Sequence, residues 1–197
     1  NVGESDEQLK IKASKLSKIP ISKVKHFKIL KKSLDARRKN DIHYVCSVEI
    51  SEILPKNQEI SNDRYSTNVN VAIVGSGPAG LFSALILARY GFKPIVIERG
   101  ADVDERRKII DDFIATRKLN VETNIQFGEG GAGTFSDGKL NTGIKSEYKQ
   151  FVLDEFVSHG ANPEISYINK PHVGSDVFPI VVKNIRNEII KLGGKFI

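Results

Sequence analysis

The 197-residue sequence predicts an α/β fold, and three observations carry that expectation. An apolar run at Val69, Val71, Ile73 and Val74 stops at Gly75-Ser76-Gly77-Pro78-Ala79-Gly80, and a long apolar segment follows to Tyr90. Pro94 to Ile97 then forms a second apolar run, closed by Glu98. Strand, glycine loop, helix, strand and acid in that order specify a Rossmann-like FAD/NAD(P)-binding fold over residues 69–197. A small basic α+β domain over residues 1–54 and a linker over 55–68 precede it.

Each residue of the loop has a physical task. Gly75 permits a tight turn out of the strand, Gly77 lets the backbone approach a pyrophosphate, and Gly80 lets the helix pack closely on the strand. Pro78 suits a first helical turn, where its missing N–H leaves nothing unpaired. The free amides beside it, with Ser76 and Ala79 in the same loop, face an anion at the positive end of the helix dipole. Gly91 ends the helix. Glu98 falls at the tip of the second strand, where a carboxylate accepts hydrogen bonds from both hydroxyls of an adenosine ribose and repels a 2′-phosphate. FAD or NAD is therefore expected in the first nucleotide site rather than NADP.

In the N-terminal domain, Leu9, Ala13 and Leu16 lie near helical spacing among lysines between Glu4 and Ser17, which predicts a one-sided surface helix. Val24, Phe27, Ile29 and Leu34 form an imperfect strand pattern, and after Asn40-Asp41 the Ile42 to Ile50 alternation is a clear strand. Residues 1–68 carry 14 lysines and arginines against 9 acids, nearly the whole excess of +6. The charge reads first as a solvated face that keeps an edge strand from pairing, and second as an RNA-binding surface around Lys31, Lys32, Arg37 and Arg38. Cys46 shares an alternating face with Ile42, Tyr44, Val48 and Ile50 and is expected as a buried apolar thiol. The polar stretch Pro55 to Asn68 reads as the interdomain linker.

Beyond Gly100, Asp102 and Glu105 predict a helix start of the capping-box type, with the helix reaching about Lys118. Arg99, Arg106 and Arg107 follow Glu98 closely enough to reach a cofactor's phosphates or adenine. Between Asn124 and Gly143, six of the chain's 16 glycines fall within 16 residues. Gly131, Ala132, Gly133, Thr134, Ser136, Asp137 and Gly138 are read as a cofactor wall that brings backbone amides against a flat or anionic ligand, anchored by Ile125, Phe127, Phe135 and Leu140. A helix from Glu147 to His159 ends at Gly160, with His159 in a structural role in its last turn. A polar turn at Lys170 to Asp176 leads into a helix to Leu192 with Val181, Val182, Ile185 and Ile189 on its inner face. Lys195-Phe196-Ile197 begins another strand.

There is no apolar run of membrane-spanning length and no export leader, so a cytoplasmic protein without membrane contact is expected. The chain has no methionine, which leads to the expectation of a trimmed piece of a longer protein. A single cysteine excludes the cysteine pair of flavoprotein disulfide reductases. No metal site is read.

Four blocks together give the chain its resemblance: K-K-S-L-D-A-R-R-K (Lys31 to Lys39), V-G-S-G-P-A-G with E-R-G, I-Q-F-G-E-G-G-A-G-T-F-S-D-G-K-L (Ile125 to Leu140) and K-P-H-V-G-S-D (Lys170 to Asp176). The sequence resembles the FAD-dependent dehydrogenases called NAD(FAD)-utilising dehydrogenases, bacterial flavoproteins of the glutathione-reductase-like superfamily. The resemblance implies FAD as the ligand of the first loop, held at its pyrophosphate by Gly75, Gly77, Pro78, Ala79 and Gly80 and at its ribose by Glu98. It also implies that Arg99 lines the adenine side, that the Gly130 to Gly138 loop approaches the flavin half, and that later segments complete the domain.

The function these readings predict is an FAD-dependent oxidoreductase in which the flavin relays a hydride or electrons, with NAD(P)H as a candidate reductant. His172 is the candidate acid or base, with Lys139 and Asp137 behind it. Two alternatives stand beside it: a dehydrogenase using NAD alone in the same loop, and a flavoprotein whose basic N-terminal domain docks RNA.

Overall fold

The computed structural model describes residues 3–55, 65, 67, 69–140, 142–144, 146 and 148–197. The chain divides into two compact units, Asn1–Ile60 with Glu164–Pro171, and Ser61–Pro163 with His172–Ile197. The predicted linker falls largely on residues outside the described ones.

The first unit opens with helix α1 (Asp6–Ser17), started by a capping box in which Ser5 Oγ accepts from the Gln8 amide and Gln8 Oε1 accepts from the Ser5 amide at 2.9 Å. Ala13 is buried, Leu9 is half-buried and Leu16 is 87% exposed, so the apolar stripe is shorter than the spacing predicts. Strands β1 (His26–Asp35) and β2 (His43–Ser51) pair antiparallel, with a bulge between Ile29 and Lys31. The bulge leaves Leu30 unpaired and shifts the side-chain alternation, which explains the imperfect pattern of β1.

Cys46 faces Lys32 across the pair and is half-buried rather than buried. The Lys32 ammonium lies 4.9 Å from the centre of the Tyr44 ring. The outer edge of β1 is not left open either. The Lys32 amide donates to the Tyr167 carbonyl and the Asn169 amide to the Lys32 carbonyl, both at 2.8 Å, so 164–171 adds a short parallel rung. Of the four cations read as an RNA surface, Lys32 is thus engaged with Tyr44 and Arg37 is held by Asp35, whose carboxyl drops to about 2 under the Arg37 hydrogen bonds.

The second unit is a β-α-β arrangement extended by a third strand. Strands β3 (Asn70–Val74), β4 (Lys93–Ile97) and β5 (Lys195–Phe196) are parallel in the order β3-β4-β5, with Ile73 opposite Val96 and Val96 opposite Phe196. Helix α2 (Pro78–Arg89) leads from β3 to β4. Helices α3 (Val103–Thr116), α4 (Tyr148–Ser158) and α5 (Phe178–Lys191) lie between β4 and β5.

The core forms where α2 meets α5. Leu85, Ala84, Val181, Val182, Ile185 and Ile189 are each at most 2% exposed, and each large aliphatic chain buried this way contributes about 1.5–3 kcal/mol. Phe156 meets Phe82 and Phe178 edge-on, which locks α4 to the same core. A polar clamp joins the three helices at one end: Arg89 donates to Glu155 and to Glu188, and His159 Nε2 lies 2.9 Å from Glu188 Oε2. Burial opposes the charge of Arg89, but the two carboxylates hold it protonated above its ordinary value.

Gly80 is the closest approach between α2 and the turn out of β3, because a Cβ there would collide with the Gly75 carbonyl oxygen. Gly80→Ala is expected to destabilise the chain by about 1–3 kcal/mol in urea unfolding, whereas Gly143→Ala, where a Cβ meets only open space, is expected to be neutral.

Candidate functional site

The turn after β3 is fixed by its own backbone and by one carboxylate. Gly75 has φ 91°, a left-handed conformation that favours glycine, and its amide donates to the Ile97 carbonyl at 2.8 Å. Ser76 is fully buried. Glu98 Oε2 accepts from the Ser76 amide at 2.7 Å and the Ser76 hydroxyl at 2.9 Å, and Oε1 accepts from the Gly100 amide at 2.8 Å. Glu98 therefore knots the loops after β3 and β4 together. Burial works against its charge, but these hydrogen bonds and the neighbouring Arg106 outweigh it and hold the carboxyl below its ordinary value.

Gly77 is the N-cap of α2, with φ −66° and ψ 179°, a conformation open to any residue. A Cβ there would meet nothing within 4 Å. Neither the backbone nor the packing of the chain requires glycine at this position. The first turn of α2 has no side-chain cap, so its leading amides face that open space. Pro78 and Ala79 are exposed beside it.

The second glycine-rich stretch docks on this loop. The Gly130 amide donates to the Ser76 carbonyl at 2.9 Å, and a Cβ on Gly131 would lie 3.1 Å from Pro78 Cδ. Ala132–Thr134 forms a 3-10 turn, with Ala132 exposed, Gly133 half-buried and Thr134 fully buried, its hydroxyl without a partner among the described residues. Arg106 organises the stretch. Its fully buried guanidinium donates to the carbonyls of Asn124, Ile125, Gly128, Glu129 and Gly131 and lies 4.9 Å from the Phe135 ring centre.

Two expectations change here. Arg106 was expected to reach a cofactor's phosphates or adenine, but its buried guanidinium is spent on loop carbonyls. Burial pushes its pKa down to about 10, against the pull of Glu98 and Glu129. The predicted hydrophobic anchors Ile125 and Phe127 are 37% and 49% exposed, so the stretch is held by a buried cation instead. Nothing in the residue pattern separates a buried arginine from the surface ones beside it. Arg99 pairs with Glu122 at 2.7 Å on the surface, and Arg107 donates to the Ser175 carbonyl.

The far end of the stretch forms a separate corner. Gly138 has φ 64° and its carbonyl accepts from the Val173 amide, while Lys139 faces His172 in an antiparallel bridge. Ser136, Asp137, Lys139 and His172 are exposed there. Asp137 pairs with Lys139 at 2.7 Å, and that hydrogen bond holds its carboxyl below the ordinary value. The structure thus brings the three acid-base candidates together.

A cavity of about 220 Å³ lies next to Glu98, lined by Ser76, Gly100, Asp102, Glu129, Arg186, Phe196 and Ile197 as well. Sequence reading passed over Glu129 and Arg186. Glu129 stood inside a motif read for its glycines, and Arg186 on a helix read for its apolar face.

Arg106→Met is expected to cost more than about 3 kcal/mol in urea unfolding, because several buried carbonyls lose their donor at once. Glu98→Gln places an amide N–H₂ against the donors of Ser76 or Gly100, with an expected loss of about 1–3 kcal/mol. The folded pKa of Glu98 is depressed, so its contribution is complete above the unfolded glutamate pKa and is lost as pH falls through the folded value. Unfolding of the native chain followed from pH 7 to pH 3 should show that acid-limb loss, and Glu98→Gln should show less of it.

Residues 68–108 match the family model of the FAD binding domain. Residues 1–51 match a domain of unknown function (DUF8436). A Clostridium beijerinckii protein with the name "Uncharacterized protein" is 46% identical over 211 aligned positions, covering 96% of this chain. The chain spans 40% of that relative's length. Among the described residues no helix is long and apolar enough to cross a membrane. The segment that carries the Gly75–Gly80 turn, α2, β4 and Glu98 is thus similar to FAD binding domains.

Proposed function

We propose that this chain forms the FAD-binding part of a flavin-dependent oxidoreductase, on a Rossmann-like fold that the longer relative's length would extend. The observation that carries the reading is the open space at Gly77. A glycine that the chain's own conformation and packing do not require, at an uncapped helix start, is what close approach of a pyrophosphate demands. The fit extends to the rest of the site: Gly75 makes the turn, Gly80 seats the helix, and Glu98 keeps an anionic carboxylate beside the loop for ribose hydroxyls. The match over residues 68–108 supports FAD over NAD alone in this loop.

When bound, FAD supplies hydride and electron transfer that no side chain provides. The chain's own residues bind and orient. The α2 amides and Gly131 border the space for phosphate oxygens, and Glu98 bars a 2′-phosphate by charge. The exposed corner of Asp137, Lys139 and His172 holds groups able to move a proton, and His172 is the proposed acid or base in the longer protein, with NAD(P)H as its proposed reductant.

The test is FAD titration of the chain and its Gly77→Ala variant, followed by flavin fluorescence and visible absorption. The native chain is expected to bind, and the variant to lose at least about tenfold in affinity while its unfolding free energy stays within about 0.5 kcal/mol. Equal binding by both proteins, or none by the native chain, would overturn the reading.

A further inference from the structure

The segment that follows the acid-base corner forms, with α4, a groove that the reading above leaves unused. Leu140, Ile144, Tyr148, Val152, Leu153 and Phe156 give it an apolar lining, and its volume is about 400 Å³. That falls within the roughly 300–1,000 Å³ of small-molecule pockets. Leu153 and Phe156 are 5% and 6% exposed and form its inner side, while Ile144 and Tyr148 are 68% and 70% exposed at its rim. Exposed apolar side chains gathered around one concavity mark an interaction site, whereas the same residues scattered singly would mark none.

The polar members of the lining, Thr142, Ser146 and Lys149, say what chemistry the ligand carries. Thr142 Oγ1 accepts from the Ile144 amide and Ser146 Oγ from the Tyr148 amide, each at 3.2 Å, so each hydroxyl keeps its own proton to donate. Lys149 adds an ammonium with three donors, and among the described residues it is the one charged group of the lining. The polar edge thus offers donors and positive charge. A cationic ligand is repelled there and a plain hydrocarbon leaves the donors idle, whereas a carboxylate on an apolar body meets both parts of the lining. The wall begins at Leu140, next in the chain to Lys139, which faces His172.

We propose that this groove seats the substrate and that the substrate class is a carboxylic acid with a hydrocarbon body: the body lies on Leu140, Val152, Leu153 and Phe156, and Lys149 with the hydroxyls of Thr142 and Ser146 meets the carboxylate. As the substrate's seat it rests on the flavin reading above, while as a binding site for such acids it stands on the groove alone. Affinity comes from the apolar area the body buries, and selection of acid over amine comes from Lys149.

Calorimetric titration of the chain with hexanoate, octanoate, decanoate and decylamine, beside FAD, tests this. The native chain is expected to bind decanoate at least about tenfold more tightly than decylamine, and to gain about threefold for each methylene between hexanoate and decanoate. Lys149→Glu is expected to abolish the preference for the acid and keep the gain per methylene, and Ile144→Asp to flatten that gain. Both positions are exposed, so both variants should unfold at the urea concentration of the native chain. Affinity that does not grow with chain length, equal binding of decanoate and decylamine, or a Lys149→Glu variant that still prefers the acid overturns the proposal. Self-association of the chain that Ile144→Asp abolishes and decanoate fails to reverse assigns the groove to a second copy and overturns it too. If FAD binds and decanoate does not, only the groove proposal falls; if decanoate binds and FAD does not, the flavin reading falls and takes the substrate role with it, leaving the acid site.

Discussion

The second unit depends on one buried cation. Arg106 stands on α3, yet its guanidinium reaches five carbonyls of the stretch from Asn124 to Gly131. That stretch has almost no regular structure to satisfy its carbonyls, and a planar fork with five N–H donors can satisfy many of them from a single direction. The tight curl that results brings the Gly130 amide to Ser76 and Gly131 to Pro78. Without the cation the loop carbonyls would have to turn to water, and the Gly75–Gly80 turn would lose the segment packed on it.

Glu98 does for the β3 and β4 loops what Arg106 does for the glycine-rich stretch. Its carboxylate receives three donors from Ser76 and Gly100, so two separate strand ends share one anchor. The two charged groups also support each other, since Arg106 favours the ionised form of Glu98 and Glu98 favours the charged form of Arg106. A carboxylate read from the sequence as a ligand group is therefore part of the scaffold as well. Its position at the tip of β4 puts it within reach of both loops.

The β-α-β order was legible in the residues because each boundary there has a local cause. Gly75 requires a left-handed turn, Pro78 begins a helix, Gly91 with φ 91° ends it, and Glu98 closes the next strand. The bulge in β1 was visible only as a blemish in the alternation, and the added rung from 164–171 was not visible at all, since no local pattern links Lys32 to Tyr167. The same limit applies at the site. Glycines speak through backbone geometry, which is local. The roles of Arg106, Glu129 and Arg186 come from contacts separated by 18 to 84 positions, and an arginine or glutamate looks alike in sequence whether it is buried or solvated.

The site has an electrical direction that follows from these placements. At the start of α2, the backbone presents N–H groups and the positive end of a helix dipole to open space at Gly77. In the cavity next to Glu98, the lining carries Glu98, Asp102 and Glu129, with Arg186 neutralised by its own pairs. Charge thus changes sign between the two regions over a short distance. Ser76 lies where the two regions meet, its amide and hydroxyl given to Glu98 and its carbonyl to Gly130.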